Sequence, residues 1–388
     1  MKYAFKKINI EAPFPTRQCG HSCQTYELNE FHDHLFARTI GFKDDNNFII
    51  HLSMDLLAFD LKHRNLLQDY LRNYYHDNNL HLITSTTHTH YANDVRNEKY
   101  QEYLHSLLCE EIVKMEYREV NNVETTYQRL HTTAVGKSRI SGYELNNEYL
   151  CLIRFYESNN NFLNIVYYNC HPTILKADTK FFSAEYPGYV LRKLEEKYPG
   201  IDFSFMQGAA GDISSRFVRI GQTYEDVEKL GNNLLNDIND LMKQEVKKVP
   251  LNIKYNEKLI EYKHEFTPID LSKIRSDLSD REKETIRIGQ EQRSKLEKAS
   301  NPLFGKLIDE AIIASLDLNS VKIKFFPNEI FSHYMNYLDL DKEMLVSYSN
   351  GYGPYVLPID FEYITYEMFT DTLTKDTKEK IIETLKTI

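Results

Sequence analysis

Between residues 47 and 247 the apolar positions switch repeatedly from the continuous runs of strands to the three-and-four spacing of helices, a pattern that restricts the chain to a layered α/β core. Residues 47–60 begin as a β-rich run, and 61–75 continue with Leu66, Leu67 and Leu71 at helical spacing. A short strand over 81–86 leads through a polar loop into a helix over 100–115. Residues 148–156 and 164–169, rich in aromatic and β-branched side chains and separated by a Ser/Asn stretch, read as a hairpin. A helix over 186–197, a strand over 202–206, a Gly/Ala loop over 208–211 and a long amphipathic helix over 223–247 follow.

Charge becomes dense from 262 to 315, where helical periodicity dominates and a mostly helical, solvated insertion or lid is expected. Strand character returns over 321–326, ahead of a Tyr-rich segment at 348–366. No internal repeat is apparent, which disfavours a solenoid. The 388 residues are enough for a large α/β domain with insertions. With 41% hydrophobic and 27% charged residues and a mean hydropathy of -0.53, a membrane-embedded or mostly disordered chain is excluded. The 47 basic against 57 acidic residues give a net charge of -10, which disfavours nucleic-acid partners. No stretch has the length and apolarity of a transmembrane segment, and the first ten residues lack the apolar core of a signal peptide, so a cytoplasmic protein is expected.

Five cysteines, Cys19, Cys23, Cys109, Cys151 and Cys170, are odd in number and scattered, as reduced thiols are. Cys19 and Cys23 flank His21 in CGHSC, but this spacing matches no common zinc knuckle, and loop thiols are favoured over ligands.

Chemistry concentrates in four places. Thr87-His88-Thr89-His90 follows a strand; on extended backbone His88 and His90 share a face and can converge on one metal ion or substrate, or remain a hydrogen-bonded loop. His171 ends another apolar strand and precedes Pro172, which restricts its backbone. Gln207-Gly-Ala-Ala-Gly-Asp-Ile-Ser214 follows a third strand; its small residues allow close backbone approach, and Ser214 is placed like a nucleophile. Late in the chain come Glu329, in Phe-Pro-Asn-Glu, and the tyrosines of SNGYGPYVLPIDFEYITYE, residue types that ordinarily serve as a helix first-turn charge and as core anchors.

In this order, HTH, HPT, GD-x-S, Pro-x-Glu and Asn-x-Tyr-x-x-Tyr resemble the neutral/alkaline, non-lysosomal ceramidase family. The stretches His32-Asp33-His34-Leu35-Phe36-Ala37-Arg38 and Ser183-Ala184-Glu185-Tyr186-Pro187-Gly188 are similar to two more of its motifs, so the resemblance spans about residues 15–370. It implies a single hydrolase domain over 1–370 with the charged insertion at 262–315 and a C-terminal helix over 371–388; unlike in many relatives, no immunoglobulin-like C-terminal domain or secretion signal is expected. It further implies a catalytic zinc held by His88, His171, Glu329 and Tyr355, with Ser214 as nucleophile and zinc-bound water as its base. His90 and Tyr366 would donate to the developing oxyanion, and Asp212 would orient the loop or a neighbouring group. The expected activity is cleavage of an N-acyl amide, possibly of a lipid, through an acyl-enzyme. Zinc-assisted hydrolysis of an ester or other substrate by direct water attack, and a non-catalytic zinc-containing binding protein, are the alternatives. Two departures bear on the substrate: the loop after the nucleophile reads Ser214-Ser215-Arg216, and the family's substrate-contacting Arg appears replaced near Ser141-Gly142-Tyr143. With the charged insertion, they point to a soluble or modestly amphiphilic substrate.

Overall fold

The structure, a computed structural model, describes residues 1–20, 25–299, 307 and 309–388. The seven α-helices used below are α1 (Leu61–Tyr75), α2 (Glu98–Ile112), α3 (Glu185–Lys197), α4 (Tyr224–Lys243), α5 (Asp280–Ala299), α6 (Tyr366–Thr370) and α7 (Lys375–Thr387). Among the described residues no helix is long and apolar enough to cross a membrane.

The fold is mixed α/β, built around three larger sheets. In the first, Leu80–Thr86 pairs in parallel with Phe48–Met54 after a crossover through α1, and Phe36–Lys43, Lys2–Asn9 and Arg118–Glu119 extend the sheet. In the second, Asp202–Gln207 pairs in parallel with Asn160–Tyr168 after a crossover through α3. Tyr149–Glu157 and Asn160–Tyr168 form the expected antiparallel hairpin, whose turn residues Ser158 and Asn159 have φ values of 47° and 72°. Such left-handed turns match the twist of the flanking strands. The third sheet orders Lys254–Glu261, Glu310–Asp317, Lys322–Phe325 and Glu343–Val346.

The 262–315 stretch is less helical than its charge pattern suggests. Helix α5 accounts for its centre, but Glu310–Asp317 is a strand, because Ala311–Leu316 form an unbroken run buried inside the third sheet. Residues 300–306 and 308 of this stretch lie outside the described residues, as do His21 and Cys23 of CGHSC. Cys19 is buried, and burial together with the nearby Asp94 raises its thiol pKa, so it has the character of a packed, inert thiol. Helix α7 docks on the core through Ile381 and Leu385, both fully buried.

The parallel pairs matter most for function. Their carboxyl ends point to one region, where open α/β sheets place ligands. Isolated bridges His171 to Ser214, Ser85 to Ser349 and Gly208 to Val346 stitch the three sheets together there.

Candidate active site

His88 lies two residues beyond the strand Leu80–Thr86, with φ at 62°, a left-handed conformation that is costly for a side chain of this size. Its ring stacks on Tyr348 at 3.9 Å, and Nδ1 donates to the carbonyl of Leu57 at 2.8 Å. His171 follows the strand Asn160–Tyr168, and its Nδ1 donates to the carbonyl of Ala210 at 2.5 Å. A carbonyl oxygen only accepts, so both rings carry their proton on Nδ1 and present a bare Nε2.

Both Nε2 atoms face the same acceptor. Glu329 Oε2 lies 3.0 Å from His171 Nε2 and 3.5 Å from His88 Nε2. Glu329 sits on the strand Asn328–Ile330, not in the first turn of a helix. Burial opposes the charged form of its carboxylate, and positive charge facing it at the His88 and His171 positions is what holds its pKa well below the usual range. Burial, then the Arg139 charge, pushes His171 down to about 4, so at neutral pH its ring carries no second proton to share with the carboxylate.

Three electron-pair donors therefore converge with no proton between them. A cation resolves that conflict, and ligand atoms on a tetrahedral zinc are spaced by roughly 3.3 Å, given bonds near 2.0–2.1 Å. The residues fit a metal such as zinc. Nitrogen atoms of His88, His90 and His171 also lie within 4.8 Å of one another, which makes His90 a further candidate ligand. His90 is crowded by the N-terminal loop: a Cβ added to Gly20, whose φ is 117°, would come within 2.7 Å of its ring.

The other predicted residues surround this centre. Tyr355, on the strand Gly353–Val356 paired with Asn328–Ile330, places its hydroxyl 3.5 Å from His171 Nε2. Burial raises its pKa and Arg139 opposes that shift. Tyr366, the first residue of α6, lies edge-on to Tyr355 with ring centroids 6.0 Å apart. Ser214 is bridged through its backbone to His171 and is 5% exposed. Its Oγ accepts from the Arg216 N–H at 3.3 Å and, among the described residues, contacts no imidazole or carboxylate. Asp212 instead turns away: its carboxylate accepts from the Ser332 N–H at 2.6 Å and hydroxyl at 2.8 Å, and burial pushes it up to about 6. Its contacts pin the 208–214 loop to the segment that carries Glu329.

Two further residues belong to the site. Tyr352 donates to Glu329 Oε1 at 2.5 Å, fixing the carboxylate; it is the middle residue of the Asn-x-Tyr-x-x-Tyr motif, where a signal was present. Arg139 donates to Tyr355 Oη at 2.9 Å and to the Gly211 carbonyl at 2.7 Å, and pairs with Glu367 at 2.8 Å. No local pattern around Arg139 announces it, and its position shows that a partly buried arginine reaches the site two residues before Ser141.

No family model and no curated protein matches the sequence. Solved structures do. The neutral ceramidase from Pseudomonas aeruginosa superposes with a TM-score of 0.72 at 13% identity, over 99% of this chain and 73% of that one. A structure described as ceramidase complexed with C2 gives 0.73 at 11% identity, over 99% and 74%. The chain has the neutral ceramidase fold. In this ceramidase-like fold a cavity of about 250 Å³ is lined by Arg139 and Tyr366, which adjoin Tyr355, by Glu367, and by Arg275, Leu278 and Ile286 of the charged insertion. That volume is below the range of about 300–1,000 Å³ common for drug-sized ligands.

Proposed function

We propose that the protein is a zinc-dependent amidohydrolase that cleaves an N-acyl amide, with His88, His171, Glu329 and Tyr355 as metal ligands. The observation that carries this reading is the buried meeting of two Nε2 lone pairs with the Glu329 carboxylate, with Arg139 and Tyr366 linking the Tyr355 side of the site to an open cavity. Structural zinc sites are closed, whereas catalytic ones keep a position for water or substrate. The ceramidase fold supports the choice of an amide as the bond broken.

Bound zinc supplies Lewis acidity toward the scissile carbonyl and lowers the pKa of water. The chain supplies the rest. Ser214 Oγ attacks the carbonyl carbon, the C–N bond breaks, and the amine leaves with a proton; water then cleaves the serine ester and restores the hydroxyl. His90 and Tyr366 donate to the oxyanion, and removing such a donor costs about 100-fold or more in kcat. Arg139 holds the Tyr355 oxygen and, through Glu367, the start of α6 that carries Tyr366.

Ser214 has no hydrogen-bonded base among the described residues, which keeps direct attack by water as the second reading. A panel of N-acyl amides and matched esters, assayed with zinc supplied and removed, tests the proposal. Zinc-dependent amide cleavage that is abolished in Ser214→Ala, together with acyl label trapped on Ser214 of the parent, supports it. Most activity surviving in Ser214→Ala selects water attack. A full complement of metal with no hydrolysis selects a binding protein.

A further inference from the structure

The amidase reading leaves the substrate open, and the charges of the cavity narrow it. Two of its four cations are committed: Arg139 to Glu367 at 2.8 Å, and Arg275 to Asp277 at 2.6 Å. The other two are not. Arg216 lies on the wall immediately after the proposed nucleophile, and its guanidinium reaches only the backbone carbonyl of Arg139, at 3.3 Å. Neither Arg216 nor Lys273 forms an ion pair among the described residues, although both line the cavity. Burial lowers the Arg216 pKa to about 10, with the Arg139 and Arg281 charges adding to the shift and Glu367 and Glu282 opposing it.

The lining carboxylates Glu367 and Glu282 act on Arg216 through space, but among the described residues none forms an ion pair with it. Glu367 is held by Arg139, Glu282 is engaged by Ser279 and Ser141, and Glu362 is exposed at the rim. Tyr363, Leu278 and Ile286 supply apolar wall.

We propose that Arg216, assisted by Lys273, forms an anion subsite, and that the substrate is an N-acyl amino acid whose carboxylate lies beside the scissile amide. The inference rests on the amidase reading for the bond cleaved but not for the binding. Arg216 Nη groups form a fork suited to a carboxylate. A carboxylate one carbon from the amide nitrogen stays close to the reacting bond, and Arg216 follows the proposed nucleophile by two residues. The apolar wall takes part of the acyl group.

Calorimetric titration of the zinc-loaded full chain with N-decanoylglycine, its uncharged glycinamide and the aminomethylphosphonate analogue tests this without needing turnover. The glycine conjugate is expected to bind about tenfold tighter than the glycinamide. Arg216→Gln should bring that ratio near one, Arg216→Lys should retain part of it, and Lys273→Gln should reduce it. Equal affinity for charged and uncharged ligands in the parent protein, or a preference that survives Arg216→Gln, overturns the subsite. Stronger binding of the phosphonate than of the carboxylate overturns the amino-acid assignment. Arg216-dependent preference for the glycine conjugate without hydrolysis of it or any other amide sustains the subsite and counts against the amidase reading alone.

Discussion

At the scale of single residues, the centre depends on proton placement. Leu57 and Ala210 carbonyls hold the protons of His88 and His171 on the far side of each ring, leaving Nε2 free for a cation. Tyr352 does the same for Glu329, consuming Oε1 so that Oε2 faces inward. Tyr352→Phe should therefore weaken zinc binding by about tenfold or more while the protein remains folded, as read by competition with a chromogenic chelator. His51 carries a separate consequence for pH. It is buried in the first sheet against Ser85 Oγ, and burial lowers its pKa from 6.5 to about 3. Below 6.5 the unfolded chain gains a proton that the folded chain refuses, so His51 makes stability fall as pH falls, by up to about 1.4 kcal/mol per pH unit. Urea midpoints measured between about pH 7 and about pH 5 should decline less steeply in His51→Gln. The histidine and tyrosine ligand candidates were legible because their motifs are short and ordered. Arg139 was not, because an arginine in Lys-Ser-Arg-Ile-Ser is indistinguishable from a surface one until its partners are known.

At the scale of elements, the site is assembled by close approach. A Cβ on Gly211 would lie 2.8 Å from the Ile330 carbonyl and 2.9 Å from that of Glu329, so only glycine lets the 208–214 loop lie against the Glu329 strand. Gly211→Ala should cost about 1–3 kcal/mol of stability and lower the zinc content of the purified protein. The charged insertion makes a similar contact. At Gly289 of α5 a Cβ would meet the Phe369 ring at 2.8 Å and the Tyr366 backbone at 3.2 Å. Helix α5 thus braces the short helix that presents Tyr366 and Glu367. Gly289→Val should lower amide turnover by about tenfold or more while zinc is retained by His88, His171 and Glu329, since the displaced groups are the proposed oxyanion donor Tyr366 and the Arg139 partner Glu367. The sequence pattern identifies α5 as helical, but its charges alone suggest a solvated face; its packing on α6 is a long-range contact that composition does not encode. The strand Glu310–Asp317 was hidden for the opposite reason, since a short apolar run looks alike in a buried helix and a buried strand.

At the scale of the molecule, residues from 88 to 355 meet at one point only when three sheets are docked, so metal binding and global folding are linked. Zinc bound to the folded chain alone should raise the thermal midpoint, and stripping it with a chelator should lower that midpoint by several degrees, reversibly on adding zinc back; free zinc at about 1,000 times its dissociation constant contributes about 4 kcal/mol. A midpoint insensitive to chelator would count against the metal centre. Apolar periodicity and turn chemistry were enough to set the class of fold and most of the strands and helices near the site, because those signals are local and repeat every two or three to four residues. Motif order added which side chains to suspect. The meeting of Glu329 with His88 and His171, the turn of Asp212 toward Ser332, the contacts of Arg139 with Tyr355 and Glu367 and the place of Arg216 on the cavity wall were decided by tertiary packing. Each depends on groups brought together from distant parts of the chain, where burial removes water and makes one missing or surplus charge count.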